Sequence, residues 1–159
     1  VKKLYFAYGS NLDINRLQDR IGKVEVVSKH KLYGWRLVFN AGQGHLCFAN
    51  LQMTPQFTAN DYVDGVIYSV SSKQLKQLDQ YEGAPRFYTR IVEQYRGKDM
   101  YVYVSFNPEY TQQENKKVFP CKEYLNFMIK GAVAFKLDNV LNKCRTLYSN
   151  ASNIRRAFA

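Results

Sequence analysis

The parts of this chain best suited to do chemistry are one carboxylate and one row of backbone amides. The carboxylate is Glu82, in the run Leu78, Asp79, Gln80, Tyr81, Glu82, Gly83. Leu75, Leu78 and Tyr81 predict a short helix that starts from an N-cap at Ser71 or Ser72, with Gln74 completing a capping box, and stops at Gly83. Glu82 therefore faces the negative end of a helix dipole, which disfavours its charge by about 0.3–1 kcal/mol. Residues that break a local rule are candidates for function. Tyr81, Phe87 and Tyr88 surround Glu82 in sequence and predict partial burial. Burial lifts a carboxyl group from its ordinary pKa of about 4.3 toward the range of a proton shuttle. Taken alone, the same residue also fits a solvated surface glutamate.

The amides follow the apolar run Leu4, Tyr5, Phe6, Ala7, Tyr8, which reads as a buried strand. Gly9 stops the run in a tight glycine turn, and Ile14, Leu17, Gln18 and Ile21 fall at helical spacing up to Gly22. A strand, a tight turn and a helix start leave several N–H groups unpaired at the positive end of a dipole. Such a corner holds a carboxylate or a developing oxyanion. Ser10 reads as an N-cap, a role that Asn11 or Asp13 can share. As a nucleophile Ser10 has no histidine base in its sequence context.

Composition removes other chemistries. Cys47, Cys121 and Cys144 are odd in number and far apart, and read as free thiols. His30 and His45 sit in no metal motif, and no Gly-x-Ser-x-Gly elbow is present. The net charge is +10, but the basic residues are spread out, and pairs such as Lys29 with Lys31, Lys116 with Lys117 and Arg155 with Arg156 make no long run. Such a balance can indicate nucleic acid or anionic surfaces, but without a long basic run or a nucleic-acid motif, nucleic acid is not the expected main partner. No apolar run spans a bilayer and no leader pattern opens the chain, so the expectation is a cytoplasmic protein without a membrane partner.

The elements that must position these groups fit one domain, 1–159. Strands are predicted at 24–27, 33–39 (with Gly34 a bulge), 46–53 and 66–70, and a hairpin at 87–95 and 100–106 turning on Arg96, Gly97, Lys98 and Asp99. Helices are predicted from Cys121 or Lys122 to Lys130, and along Leu137, Val140, Leu141, Cys144, Leu147 and Tyr148. The polar stretch 107–117 can be a lid or a plain surface loop, and the final ten residues read as surface-bound or frayed. Strand and helix do not alternate regularly, which disfavours a doubly wound sheet. The class is α+β, with a strongly bent or closed sheet and helices outside it.

Three segments carry a family resemblance. Tyr8, Gly9, Ser10, Asn11, Leu12; then Tyr81, Glu82, Gly83 with Tyr88; then Pro120 and Tyr124 followed by Gly131 and Ala132, together resemble the gamma-glutamylcyclotransferase family and its AIG2-like relatives. The resemblance implies a small mixed β-barrel with helices packed outside and a cavity at one end. It implies an intramolecular reaction without cofactor, in which the α-amino group of a γ-glutamyl compound attacks its own γ-carbonyl. Pyroglutamate (5-oxoproline) forms and an amino acid or amine leaves. Glu82 would be general base and then general acid, and Gly9, Ser10, Asn11 and Leu12 would bind substrate through their amides, at either the oxyanion or the α-carboxylate. Tyr88 and Tyr124 would line the pocket, and Tyr8 would line its floor or pack in the core. One departure stands out, because Phe135, Lys136 and Leu137 occupy the place of a glycine-leucine-proline turn. Two alternatives remain open: a cyclotransferase restricted to γ-glutamyl-amines or a γ-glutamyl-protected metabolite, and a non-catalytic binder of small anions or nucleic acid on the same scaffold. A monomer and a homodimer fit the sequence equally.

Overall fold

A computed structural model describes residues 1–55, 58–112 and 118–158, with side chains to residue 151. The first aromatic run forms β1 (Lys2–Ala7), which lies in the middle of a five-stranded sheet. β1 pairs antiparallel with β5 (Tyr62–Ser71), Ala7 opposite Val66, and parallel with β7 (Lys98–Val104). β2 (Glu25–Tyr33) lies outside β5 and β6 (Thr89–Tyr95) outside β7, in the order β2-β5-β1-β7-β6. Val63, Val66, Ile67, Tyr68 and Val70 of β5 are all buried. A strand covered on both faces has no polar alternation, which is why its sequence reads as one apolar run.

The expected closed barrel does not form. β3 (Trp35–Ala41) and β4 (Phe48–Met53) make a separate two-stranded ladder, and β2 and β6 remain as edges of the larger sheet among the described residues. The departure starts at Gly34. It is a turn, not a bulge: its φ is +86°, its N–H donates to the Asp61 carbonyl at 2.9 Å, and its carbonyl accepts from Thr54 N–H at 3.0 Å. The chain leaves the sheet there, so β3 pairs with β4 rather than extending the sheet round to β6. Bulges fall instead between Val26 and Ser28 and between Phe39 and Ala41. β2 is longer than 24–27, because Lys29, His30 and Lys31 sit on an edge strand where charge is tolerated and blocks further pairing. The β6–β7 turn is tighter than expected. Arg96 and Gly97 both take positive φ, the two-residue geometry that matches strand twist.

The capping box predicted for α2 (Ser72–Tyr81) is present: Ser71 Oγ accepts from Gln74 N–H at 3.0 Å, and Gln74 Oε1 accepts from Ser71 N–H at 2.8 Å. Gln74 also donates to the carbonyls of Ile21 and Lys23, which ties α2 to the end of α1 (Ile14–Ile21). α3 (Lys122–Ala134) lies on the turn after β1, and Gly131 is what allows it. A Cβ there would stand 2.4 Å from the Leu12 backbone. After α3, Lys136 adopts φ +56°, so the expected break between the last helices is made without glycine or proline. α4 (Asp138–Phe158) runs on through the tail expected to fray. Of stretch 107–117, residues Pro108–Tyr110 form one 3-10 turn, and Gly42 N–H donates to the Tyr110 carbonyl at 2.7 Å. Residues 113–117, with Lys116 and Lys117, lie outside the described residues, so the lid reading does too. No described helix is long and apolar enough to cross a membrane.

Candidate active site

β1 delivers Tyr8, Gly9, Ser10 and Asn11 to one end of the sheet, and the C-terminus of α2 delivers Glu82 to the same place. Both line a cavity of about 410 Å³, together with Tyr88 and Tyr124. Seven of the eight residues expected at the site are therefore brought together. Leu12 is the exception. Its side chain is fully buried against α3, and its N–H is spent on the Gly9 carbonyl at 3.1 Å, so it does not line the cavity.

Glu82 caps α2 with helical backbone angles, and Gly83 follows at φ +63°. That left-handed glycine turns the chain back toward Phe87, whose N–H donates to the Gly83 carbonyl at 2.8 Å, and Glu82 lines the cavity. No hydrogen bond and no ion pair within 4 Å reaches this carboxylate among the described residues, and it retains part of its surface, which borders the hollow. Burial pushes its pKa from 4.5 up to about 7, against the opposing pull of the Arg20 and Arg16 guanidinium groups. Burial is therefore the main cause, which the helix-end position by itself did not reveal.

The turn is organised by side chains as well as by backbone. Asp13, not Ser10, caps α1: its Oδ1 accepts from Asn15 N–H at 3.1 Å. Ser10 Oγ accepts from Arg16 Nε at 3.0 Å. Asn11 donates from Nδ2 to the Tyr5 hydroxyl at 3.0 Å and accepts from Arg20 Nη1 at 3.4 Å. Leu12 and Asp13 donate back to Gly9 and Ser10, which closes the turn. The N–H groups of Gly9, Ser10 and Asn11 have no protein acceptor among the described residues, beside the cavity that these three residues line.

The tyrosines divide by what their hydroxyls do. Tyr8 donates to the Tyr103 carbonyl, and Tyr88 donates to the Ala49 carbonyl at 2.7 Å. Tyr124 instead accepts from Ala49 N–H at 3.0 Å, which leaves its own proton for the cavity. A Cβ on Gly9 would lie 3.1 Å from that hydroxyl, so glycine here keeps room between the turn and Tyr124. Burial holds all three phenols above their ordinary value, and Glu82 adds to the effect. They stay neutral donors and acceptors at any physiological pH. Phe48 and Phe87 complete an apolar wall, with Phe48 5.2 Å from Tyr124 and Phe87 5.0 Å from Tyr88 between ring centroids.

Sequence reasoning missed Arg16, Arg20, Tyr5 and Tyr103, which share the cavity. A signal for the arginines was available, since positions four apart on α1 lie on one face and follow directly from the amide turn. Tyr103 is placed by Asp79, whose Oδ1 accepts from its hydroxyl at 2.7 Å while Oδ2 pairs with Arg90 at 2.8 Å.

An unpaired carboxylate titrating near neutrality, free amides and a phenolic donor around one hollow can move a proton and hold a negative oxygen together. A family model described as gamma-glutamyl cyclotransferase, AIG2-like, matches residues 5–126. Among solved structures, one named gamma-glutamyl cyclotransferase is similar at 24% identity and a TM-score of 0.74, over 92% of this chain and 88% of that one. An uncharacterized protein from Homo sapiens is similar at 24% identity and a TM-score of 0.73, with the same coverage of 92% and 88%. YkqA from Bacillus subtilis is similar at 19% identity and a TM-score of 0.73; the match takes in 93% of this chain and 54% of that longer one. At these identities the likeness is one of fold. No curated protein sequence matches the chain.

Proposed function

The chain belongs to the gamma-glutamyl cyclotransferase, AIG2-like family, and we propose that it cleaves a γ-glutamyl amide by cyclisation, releasing pyroglutamate and an amine or amino acid. The observation that carries this reading is the unpaired Glu82 carboxylate, raised to about 7, on the same cavity as the unpaired amides of Gly9, Ser10 and Asn11. The α-amino group of a substrate is mostly protonated at neutral pH and cannot attack. Ionised Glu82 takes a proton from it. The freed nitrogen attacks the γ-carbonyl carbon, and the carbonyl oxygen becomes negative against the turn amides and the Tyr124 hydroxyl. As the carbon–nitrogen bond breaks, Glu82 returns its proton to the departing nitrogen, and the ring nitrogen's extra proton follows to the released amine. The nucleophile belongs to the substrate, so the chain needs no serine or cysteine of its own for the step. The cavity supplies the rest by holding the glutamyl chain folded for ring closure.

The non-catalytic alternative is disfavoured by the same carboxylate. A binder of anions gains nothing from an unpaired negative group beside its anion site. The test is to incubate the protein with γ-glutamyl dipeptides and γ-glutamyl-amines and assay pyroglutamate. Wild type should release it. Glu82→Gln should be slower by roughly 100-fold or more, the usual contribution of a general acid–base group. Turnover at the wild-type rate in the Gln variant would refute the role.

A further inference from the structure

The hydroxyl protons of three cavity tyrosines are already committed. Tyr8 donates to the Tyr103 carbonyl, Tyr88 to the Ala49 carbonyl at 2.7 Å, and Tyr103 to Asp79 Oδ1 at 2.7 Å. Tyr5 differs. It is buried and lines the same hollow, yet its hydroxyl is an acceptor, from Asn11 Nδ2 at 3.0 Å. The direction of that bond is fixed from behind. Asn11 Oδ1 accepts from Arg20 Nη1 at 3.4 Å, and a guanidinium can only donate. The amide oxygen must therefore turn to Arg20 and its NH2 group to Tyr5, because the reverse would set donor against donor. The Asn11 backbone is held as well, since its carbonyl accepts from the Tyr68 hydroxyl at 3.2 Å.

A phenol that accepts from Asn11 still has its own proton to give. No acceptor for that proton stands within hydrogen-bond distance among the described residues, and the residue borders the cavity. Arg20, Asn11 and Tyr5 thus form a row of donors running one way, from a full positive charge to a phenolic proton. Bonds in such a row polarise one another. Burial raises the Tyr5 phenol, and the charge of Glu82 is the next influence on it, ahead of every other group. Tyr5 is therefore a neutral donor within electrostatic reach of Glu82.

The α-carbon of a γ-glutamyl group carries the reacting amine and a carboxylate side by side. When the amine meets Glu82, that carboxylate comes near a second negative group, and like charges repel. It needs a donor beside Glu82 that is not spent on the γ-carbonyl oxygen. The turn amides and Tyr124 take that oxygen in the step above, and Tyr5 is the donor left over. Resting on the cyclotransferase reading, we propose that the Tyr5 hydroxyl donates to the α-carboxylate of the γ-glutamyl group, with Asn11 and Arg20 setting the direction of its proton. A hydrogen bond to a charged group is worth about tenfold or more in kcat/KM.

The test compares γ-glutamylalanine and γ-glutamylethylamine with their 4-aminobutanoyl counterparts, which lack only the α-carboxylate and cyclise to 2-pyrrolidinone. Release of alanine or ethylamine is followed in each case. Tyr5→Phe removes the donor and keeps the ring. It should raise the KM of the γ-glutamyl compounds by about tenfold or more with little change in kcat, and shrink the preference over the 4-aminobutanoyl compounds by the same factor. Asn11→Asp keeps the shape but offers oxygens to both neighbours, so the Tyr5 proton turns to it and away from the cavity. It should reproduce the loss of preference with Tyr5 still in place. A variant that folds poorly lowers both rates alike and leaves their ratio as it was. A Tyr5→Phe enzyme with unchanged KM and unchanged preference, or one whose loss lies in kcat and is equal on both kinds of compound, overturns the Tyr5 role and leaves the cyclotransferase reading standing. Absence of pyroglutamate from both γ-glutamyl compounds in wild type overturns the cyclotransferase reading, and the Tyr5 role with it.

Discussion

Replacing Glu82 by Gln should stabilise the fold at alkaline pH while it disables the proton carrier. Burial lifts the carboxyl group from 4.5 to about 7 in the folded protein. The folded state therefore holds a proton over a range in which the unfolded chain has lost it. For an acid raised in this way, its stability contribution is fully present below about 4.5 and is lost as pH rises through about 7. At about 1.4 kcal/mol per pH unit, the whole span is worth about 3 kcal/mol. The carboxylate borders an open hollow, where solvent screens part of the charge, so the expected gain of the Gln variant at pH 8 is about 1–3 kcal/mol over its standing at pH 4.5. For a domain of this length that is a rise in Tm of several degrees. The assay is urea unfolding of wild type and Glu82→Gln at several pH values from 4.5 to 8.5. The difference should grow with pH and level off above about 8. A difference that is flat across the range, or a variant less stable than wild type at pH 8, refutes the view that an ionised carboxylate is held in a costly place.

Gly131→Ala should destabilise the fold by about 1–3 kcal/mol in urea, because its Cβ would collide with the Leu12 backbone and push α3 away from the turn. Tyr124→Phe should slow pyroglutamate release by about 100-fold, the usual effect of losing one oxyanion donor. Tyr88→Phe is the contrast: its hydroxyl is spent on the Ala49 carbonyl, so its kcat should fall less than tenfold, and equal losses in the two variants would remove Tyr124 from the oxyanion site.

Much of the cavity wall was legible because the elements that carry it are marked by local signals. The aromatic run ending at Gly9 could only be a buried strand that stops, and it became β1 and its turn. Ser71 and Gln74 announced α2, and Gly83 its end, so Glu82 was fixed at a helix terminus before any tertiary structure was considered. Glu82 attracted attention there through the dipole, yet the dominant influence on its pKa is burial. Burial depends on Tyr81, Phe87, Tyr88 and the remote Tyr8 and Tyr124 arriving around one point, and sequence shows only the first three as neighbours.

Sheet closure was misjudged for a related reason. Strand patterns tell which faces are apolar but not which edges meet. Gly34, read from the sequence as a bulge, is a turn at which β3 leaves the sheet to pair with β4, and its φ of +86° is a property of the folded backbone. The arginines show the same limit. Arg16 and Arg20 carry no motif; they matter because α1 turns that face toward the cavity. The chain's own order of residues thus determined the parts: a strand that ends in free amides, a carboxylate at a helix end, and tyrosines in the right segments. Tertiary structure alone decided that the parts share one hollow, since distances between remote residues, and the solvent excluded between them, exist only once the helices have packed against the sheet.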